Sequence, residues 1–373
     1  MPDSPAPTQV IENKLRSGSL LGAATDLLPV AQVAVVLVNY NSGGHLRRSL
    51  AAVACQTRPP QRVLVVDNAS TDDSLRGIDA VCPGVELIRS PRNLGFAAAN
   101  NLALARTGDC QWVALLNSDA FPEPCWLGEL LAAAESRPDA AFFGSQLVSA
   151  DEPTRLDGSG DVYHVSGLAW RRDWGNPRPA RAGEPVLSPC AAAAMYLRSA
   201  LVEAGGFDER YFCYFEDVDL GFRLRLRGNR YVYVPSAVAH HVGSASAGRQ
   251  SDFQIYHGHR NLVWTYVKNM PAALFWLYLP QHLLANLASL VWFSLRGQGR
   301  AILRAKWDAL AGLRPVLADR RRVQRGRKIG LREVRSLLSR GWLTPYRRRA
   351  GQLRAAVSRA CHAAAAQGGS PWR

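Results

Sequence analysis

The stretch Trp112-Val113-Ala114-Leu115-Leu116-Asn117-Ser118-Asp119 decides the fold, because an unbroken apolar run ends in polar residues and a carboxylate. Runs of this kind are typical of parallel strands that are buried on both faces. In an open α/β sheet, ligands bind beyond the carboxyl ends of such strands. The sequence therefore predicts that Asp119 lies at the ligand-binding edge of a sheet.

The chain around this strand alternates between strand and helix patterns. Further apolar strand candidates are Val33–Val38, Arg62–Val66, Val85–Ile88 and Tyr231–Val234, and helical patterns such as Leu197–Ala204 and Val218–Arg227 lie among them. Alternation of this kind indicates an α/β fold with a mostly parallel, Rossmann-like sheet and flanking helices. The stretch from Ser145 to Pro189 is irregular and predicts loops or antiparallel insertions.

Composition narrows the class of protein. The 373 residues, 47% of them hydrophobic, suffice for one large domain and an appendage. The seven cysteines are scattered without a C-x-x-C pair, so neither a zinc site nor a disulfide framework is indicated, and a reducing compartment is favoured. Residues 1–30 show no secretion signal and predict a mobile leader.

The positive charge is concentrated at the carboxyl end of the chain. From Arg296 onward lie 20 of the 45 Lys and Arg residues but only 3 of the 30 Asp and Glu residues, although the whole chain carries +15. Such a block could meet nucleic acid, an anionic membrane or only water. The rest of the chain is not basic, which argues against an enzyme that acts on nucleic acid.

An uncharged segment precedes this basic block. Asn269–Leu295 contains 27 residues without a charge, which is long enough to span a bilayer. Pro280 and Gln281 interrupt it, so we favour a segment that lies in the membrane interface. A buried pair of core helices is the alternative. The arginines that follow, among them Arg320-Arg321-Arg322 and Arg347-Arg348-Arg349, favour an anionic membrane surface.

Eight short motifs occur in order within the stretch from about Val33 to Asn269. They are Val38-Asn39-Tyr40-Asn41, Val66-Asp67-Asn68-Ala69-Ser70-Thr71-Asp72, Arg92-Asn93-Leu94-Gly95-Phe96, Asn100-Asn101, Asn117-Ser118-Asp119, Gly205-Gly206-Phe207-Asp208, Phe215-Glu216-Asp217-Val218-Asp219 and His241-Val242-Gly243-Ser244-Ala245-Ser246. Together they resemble the family 2 glycosyltransferases, inverting enzymes of the GT-A fold, and more narrowly the rhamnosyltransferase-like members.

The resemblance implies a divalent-cation site. Asn117-Ser118-Asp119 would be a variant of the family's Asp-x-Asp motif, with Asp119 as a ligand of Mg²⁺ or Mn²⁺. The neutral Asn117 departs from the pattern and supplies no charge. His241 would complete the metal shell, favoured over His240 by its spacing to Gly243. From the residues alone, Asp119 could instead cap a helix and His241 could be structural.

The resemblance also implies a pocket for the nucleotide sugar. Asp67 would accept a hydrogen bond from the N3–H of a pyrimidine base, although an Asx-turn is its alternative use. The remaining donor-binding and substrate-contacting candidates are Asn39, Asn93, Gly95, Asn100, Asn117, Ser118, Glu216 and Arg260. Among them, Glu216 would hold an acceptor hydroxyl and Arg260 would neutralise the diphosphate.

Asp217 is the candidate catalytic base by the same resemblance. An inverting transfer removes a proton from the acceptor hydroxyl during one displacement, and a carboxylate within hydrogen-bonding reach can take it. The alternative is that the acidic cluster only stabilises a helix N-terminus. Asp219 cannot share the helical face of Asp217 and is interpreted as structural.

The expected function is transfer of one sugar to a lipid-linked saccharide in bacterial surface-polysaccharide assembly. The expected donor is dTDP-rhamnose, with a UDP-sugar such as UDP-galactofuranose or a UDP-hexose as the alternative. We expect a glycosyltransferase domain over residues 31–268 and a helical, Arg-rich membrane-associating region over residues 269–373. The protein would act in the cytoplasm at the inner face of the cell membrane, could form a homo-oligomer and would bind no nucleic acid.

Other classes fit the sequence less well. A sugar nucleotidyltransferase would carry a cation in the Gly-rich loop after its first strand, and Asn39-Tyr40-Asn41-Ser42-Gly43-Gly44 has none. A processive synthase would show a Gln-x-x-Arg-Trp motif and several membrane spans, and this sequence shows neither. A basic nucleic-acid-binding protein would have its tryptophans interleaved as a stacking platform, whereas Trp342 and Trp372 are isolated.

Overall fold

A computed structural model describes residues 31–178, 185–243, 251–342 and 344. The leader expected over residues 1–30, the Ser244-Ala245-Ser246 end of the last motif and the cluster Arg347-Arg348-Arg349 lie outside the described residues.

The fold is built on a nine-stranded sheet in the order β3-β2-β1-β4-β10-β6-β11-β5, with β7 paired to β6. Its strands are β1 (Ala31–Asn39), β2 (Pro60–Asp67), β3 (Glu86–Arg89), β4 (Trp112–Asn117), β5 (Ala120–Pro122), β6 (Ala140–Ser149), β7 (Leu156–Gly158), β10 (Ala193–Leu197) and β11 (Arg230–His241). A separate two-stranded hairpin consists of β8 (Asp161–Tyr163) and β9 (Ala169–Arg171).

The predicted α/β class is confirmed, and the parallel half of the sheet is the predicted one. Strands β3, β2, β1 and β4 pair in parallel. Strand β10 then runs antiparallel to both β4 and β6, and β11 is parallel to β6. The sheet is therefore mixed. The stretch that the sequence showed as irregular begins inside β6 and contains the short strands β7, β8 and β9.

Helices cover both faces of this sheet. They are α1 (His45–Ala54), α2 (Ile78–Val81), α3 (Gly95–Leu104), α4 (Trp126–Ser136), α5 (Arg198–Ala204) and α6 (Glu216–Leu226). One buried cluster contains Leu46, Leu50 and Leu127 with Val35, and the cluster on the other face contains Ala99. The alternation of side chains along β1 explains this division, since Val35 and Val36 point to opposite faces.

A layer of helices follows the sheet. It consists of α7 (Asp252–Asn269), α8 (Ala272–Leu295), α9 (Gly299–Ala311), α10 (Leu313–Arg325) and α11 (Leu331–Ser336). The inner face of α8 packs through Leu274 and Tyr278 in one buried cluster with Val218 and Phe222 of α6. The helix layer is thus attached directly to the element that carries the acidic cluster.

The uncharged segment is one continuous helix rather than a pair of helices. Helix α8 has 24 residues with Pro280 inside it, and by length and composition it could cross a membrane. Only 22% of its most apolar window is buried inside the protein, so α8 is not a core helix. The alternative of a buried helix pair is therefore wrong.

Candidate active site

The carboxyl ends of three neighbouring parallel strands bring predicted residues together. Register pairs join Asn39 of β1 to Asp67 of β2, and Val38 of β1 to Asn117 of β4. Since Asp119 follows β4 by two residues, it lies at the same edge of the sheet. This is the position where an open α/β sheet binds ligands.

Asp119 and His241 face each other at this edge. Strand β5 pairs with the end of β11, which sets Ala120 opposite His241. Nε2 of His241 lies 3.3 Å from Oδ1 of Asp119 and 3.4 Å from Nδ2 of Asn117. On the other side of the ring, Nδ1 lies 2.7 Å from Oδ2 of Asp157. The imidazole is thus oriented by one carboxylate and directed at another.

This arrangement shifts the pKa values of both His241 and Asp119. Burial alone would lower the pKa of His241, but hydrogen bonds with Asp119 and Asp157 outweigh it and raise that pKa above its ordinary value. Burial alone would raise the pKa of Asp119, but the hydrogen bond and charge of His241 lower it below its usual range. Asp119 is therefore a carboxylate at neutral pH.

Asp217 lies in the first turn of α6 and is half-buried. Its Oδ1 accepts from the backbone N–H of Val218 at 2.8 Å, and its Oδ2 accepts from that of Ala191 at 3.2 Å. Burial raises the pKa of Asp217, whereas these N–H groups and the charge of Arg171 oppose the shift. A carboxylate with a raised pKa and residual exposure has the properties of a general base.

Other acidic groups surround Asp217. Asp161 and Cys190 each place a ligand atom within 4.8 Å of it. Burial and the charge of Asp217 hold the pKa of both Asp161 and Glu216 well above the ordinary range. Among the described residues, no group hydrogen-bonds the buried Oε2 of Glu216. Such an atom is a candidate for a ligand's hydroxyl.

Asn39 and Asp67 form a polar pocket at the ends of β1 and β2. Nδ2 of Asn39 donates to Oδ1 of Asp67 at 3.2 Å, to Ser70 at 3.0 Å and to Ser74 at 2.9 Å. Oδ1 of Asp67 also accepts from the backbone N–H of Ser70, three residues further on, at 3.3 Å. Asp67 thus takes part in local hydrogen bonds, and its contact with a pyrimidine base stays a prediction.

The other predicted donor-pocket residues lie on the neighbouring loop and helix. Oδ1 of Asn93 accepts from the N–H of Gly95 at 2.9 Å, and Asn68 ties this loop to β2 by accepting from Leu94. Asn100 is buried and bonds the carbonyl of Phe96 inside its own helix. Ser118 is half-buried between Asn117 and Asp119.

Gly95 is required by the close approach of Phe212. Its φ is +80°, and a Cβ there would lie 2.6 Å from the ring and the carbonyl of Phe212. The N–H of Ala97 donates to that carbonyl at 3.1 Å. The loop before Asp217 therefore rests on the helix that carries the donor-pocket motif.

This loop is strained and held in place by α7. Phe212, Tyr214 and Phe215 all have positive φ, which costs energy for residues with a Cβ and needs strong support. Asn261 gives that support, because its Nδ2 lies 2.7–2.9 Å from the carbonyl oxygens of Tyr211, Cys213 and Tyr214.

Arg260 is engaged at the same loop. Its Nη2 donates to the carbonyls of Arg210 and Tyr211 at 2.9 and 3.1 Å, and its guanidinium stacks on Trp264 at 4.5 Å. The structure thus places Arg260 at the loop before Asp217 and shows it bound to protein carbonyls. Its contact with a diphosphate stays a prediction.

Asp219 has the structural surroundings that the sequence indicated. It is fully buried and pairs with Arg223 at 2.8 Å and with Lys268 at 2.7 Å. These ion pairs lower its pKa despite its burial. Asp219 fixes α6 to the end of α7 and does not face the same partners as Asp217.

Sequence reasoning missed Asp157, Arg171 and the clamping role of Asn261. Asp157 and Arg171 fall in the stretch of sequence that showed no regular pattern, and no sequence signal singles them out. Their partners are distant in sequence, so only the fold reveals the pairing.

The donor set at Asp119 and His241 fits a divalent cation. A carboxylate oxygen and an imidazole nitrogen face each other, and the far ring nitrogen is held by Asp157, which is the arrangement that fixes a metal-binding histidine. Because the set contains a nitrogen ligand, it suits Mn²⁺ as well as Mg²⁺.

Comparison with known proteins defines the class. The family described as Glycosyl transferase family 2 matches residues 34–205. An N-acetylglucosaminyl-diphospho-decaprenol L-rhamnosyltransferase of Mycobacterium tuberculosis is 35% identical over 249 residues, which cover 60% of this chain and 79% of the relative. A galactofuranosyltransferase of the same species is 30% identical, and the match covers 57% of this chain and 71% of the relative.

The chain belongs to glycosyltransferase family 2 and is a glycosyltransferase. Solved structures agree on the GT-A fold. GalNAc-T7 with UDP, GalNAc and Mn²⁺ has a TM-score of 0.52 at 16% identity and covers 64% of this chain and 48% of its own. TarS of S. aureus has a TM-score of 0.51 at 17% identity, and the match covers 82% of this chain and 54% of the TarS chain. The predicted family and fold are confirmed.

Proposed function

We propose that this protein is a metal-dependent inverting glycosyltransferase that moves one sugar from a nucleoside diphosphate to a lipid-linked saccharide. The observation that carries the proposal is the placement of two different carboxylates at one edge of the sheet. Asp119 is ionised beside His241, whereas Asp217 is half-buried and has a raised pKa. The first suits a cation and the second suits a proton.

In this proposal Asp217 accepts the proton of the acceptor hydroxyl as the acceptor oxygen bonds to the anomeric carbon. The bond from that carbon to the donor's phosphate oxygen breaks in the same step, and the nucleoside diphosphate leaves. Asp119 and His241 would hold the divalent cation, which when bound offsets the charge of the leaving diphosphate. The buried Oε2 of Glu216, which has no hydrogen-bond partner among the described residues, supports a role in orienting the acceptor hydroxyl.

The donor and acceptor are proposed from the relatives. The name of the M. tuberculosis rhamnosyltransferase gives it a lipid-diphosphate-linked N-acetylglucosamine and rhamnose. We infer the same class of acceptor here and dTDP-rhamnose as the donor. UDP-galactofuranose is the second candidate, because a galactofuranosyltransferase is also similar to this chain. A UDP-hexose is the remaining one. Asp67 and Asn39 would bind the pyrimidine end of each.

The donor assignment is tested with the purified full chain and a panel of thymidine, uridine and guanosine diphosphate sugars, each with Mg²⁺, with Mn²⁺ and with chelator. We expect metal-dependent transfer to a lipid-linked N-acetylglucosamine acceptor from one pyrimidine donor. Preference for a guanosine donor would contradict the role of Asp67. Absence of both transfer and donor binding across the panel would contradict the proposed function.

The helices after residue 268 are proposed to bind a membrane from the cytoplasmic side. The outer face of α8 exposes Trp276, Leu277, Leu283, Leu284, Leu287, Val291 and Leu295. Helix α9 continues that surface with Leu303, Trp307 and Leu310, spaced as one helical face. Exposed arginines flank it, including Arg300, Arg304 and Arg314. An apolar face with cationic flanks suits an anionic membrane interface.

The double variant Leu303→Glu/Trp307→Glu should bind vesicles of anionic phospholipid at least about tenfold more weakly, because it places two charges in the apolar face. Cosedimentation of the full chain measures the effect. Val202→Glu is the matched control, since Val202 is 55% exposed on α5, outside the helix layer. Equal binding by the double variant and wild type, or an equal loss in the control, would contradict this surface.

A further inference from the structure

Arg171 lies between the proposed metal ligands Asp119 and His241, here called the metal end of the active site, and the acidic cluster around Asp217 at its other end. It is the last residue of β9, and its side chain is 28% exposed. Its Nη1 pairs with Oδ2 of Asp157, the same oxygen that lies 2.7 Å from His241. Since His241 faces Asp119, a continuous series of contacts runs from Arg171 to the proposed metal ligands.

The other side of the guanidinium faces the surroundings of Asp217. Nη2 of Arg171 donates to Sγ of Cys190 at 3.0 Å, and Arg171 lies opposite Asp161 in the β8–β9 pairing. Asp161, Cys190 and Asp217 are spaced as ligands of a cation. Arg171 supplies positive charge at this cluster, and that charge lowers the pKa of Asp217 against the effect of burial.

The path of the Arg171 side chain is built into the backbone. A Cβ on Gly158 would lie 2.2 Å from Cγ and 2.3 Å from Cδ of Arg171. Gly158 is not among the residues with positive φ, so its backbone conformation does not itself require glycine. The stem of Arg171 therefore explains why residue 158 carries no side chain.

We propose that Arg171 is a positioning residue that fixes Asp157, and through it His241, at the metal end, while its contact with Cys190 and its place opposite Asp161 set its charge against the cluster that contains Asp217. This inference rests on the proposed function for its role in turnover. Its role at the metal end rests only on the contacts with Asp157. One guanidinium would thus contact both the carboxylate that orients His241 and the cluster that contains the proposed base.

The test uses Arg171→Met, Arg171→Lys and Gly158→Ala in the full chain, with Arg172→Met as the matched control. Arg172 carries the neighbouring guanidinium but bonds Ser159 and Asp173. We expect Arg171→Met to weaken Mn²⁺ binding, measured by electron paramagnetic resonance, by roughly 10- to 100-fold, as loss of a residue that supports a ligand does. Arg171→Lys should restore part of the affinity, and Gly158→Ala should weaken it without removing the charge.

Turnover gives the second measurement. Among the described residues, the groups that face Asp217 are the N–H groups of residues 191 and 218 and the side chains of Arg171, Asp161, Glu216, Cys190 and Tyr196. Without the Arg171 charge, the ionised form of Asp217 loses a stabilising cation, so Asp217 binds its proton more tightly. The acidic limb of the kcat–pH profile should therefore move to higher pH. The control should leave that limb in place.

Unchanged Mn²⁺ affinity and an unchanged acidic limb in Arg171→Met would overturn the inference, as would equal changes in Arg172→Met. Because the Mn²⁺ titration needs no donor, it tests the metal end even if wild type uses no donor in the panel. If wild type uses no donor, that result counts against the proposed function. The Mn²⁺ titration then decides by itself whether Arg171 positions Asp157 and His241.

Discussion

Asp217→Asn is expected to lower turnover by roughly two to four orders of magnitude, because the amide cannot take the proton of the acceptor hydroxyl. Donor affinity should stay close to that of wild type, since within the described part of the chain Asp217 bonds backbone N–H groups and lies among acidic residues rather than at the nucleotide pocket. Steady-state transfer rates and calorimetric donor titration measure the two quantities separately.

The pH profile supplies a check on the same assignment. Burial raises the pKa of Asp217, so turnover of wild type should fall on acidification at a higher pH than for an ordinary carboxylate, because the base must be ionised. Asp109→Asn, which changes an exposed aspartate, serves as the matched control. Near-normal turnover in Asp217→Asn, with thermal unfolding unchanged, would rule out Asp217 as the base.

Asp119→Asn is expected to abolish most metal-dependent donor binding. The substitution keeps the size of the side chain but removes the charge that faces His241, and a hard cation prefers a carboxylate oxygen to an amide. The affinity for Mn²⁺ should fall by more than about tenfold, and donor affinity should lose its dependence on the cation. Titration of Mn²⁺ and of the donor with and without metal measures both effects.

The adjacent histidines provide a control for this result. His241→Ala should weaken Mn²⁺ binding as well, because its Nε2 faces Asp119. His240→Ala should not, because His240 pairs with Glu123 at 3.1 Å on the other side of the strand. If both histidine variants, or neither, change the affinity, then the proposed ligand pair is incorrect.

The parallel half of the fold could be predicted because its signals are local. The buried run of β4 and the polar residues that follow β1 and β2 lie close together in sequence, and the edge where they meet follows from parallel pairing. The antiparallel position of β10 between β4 and β6 could not be predicted, because a short, mostly apolar strand specifies neither its direction nor its neighbours.

In the candidate active site, too, some features follow from the sequence and others do not. The pairing of Asp119 with His241 agrees with the motif spacing, and so does the position of Asp217 at the start of a helix. The sequence could not show that Asp157 orients His241, that Arg171 links Asp157 to the acidic cluster, or that Asn261 holds a strained loop. Each of these contacts joins residues from different elements, so it depends on the packing of the whole domain.

The anomeric configuration of the product tests the central claim most directly. One general base and no covalent intermediate mean a single displacement, which inverts the configuration at the anomeric carbon. Transfer by the wild-type chain from its preferred donor, followed by NMR of the isolated product, gives the answer. The account predicts a configuration opposite to that of the donor sugar, and a retained configuration would contradict it.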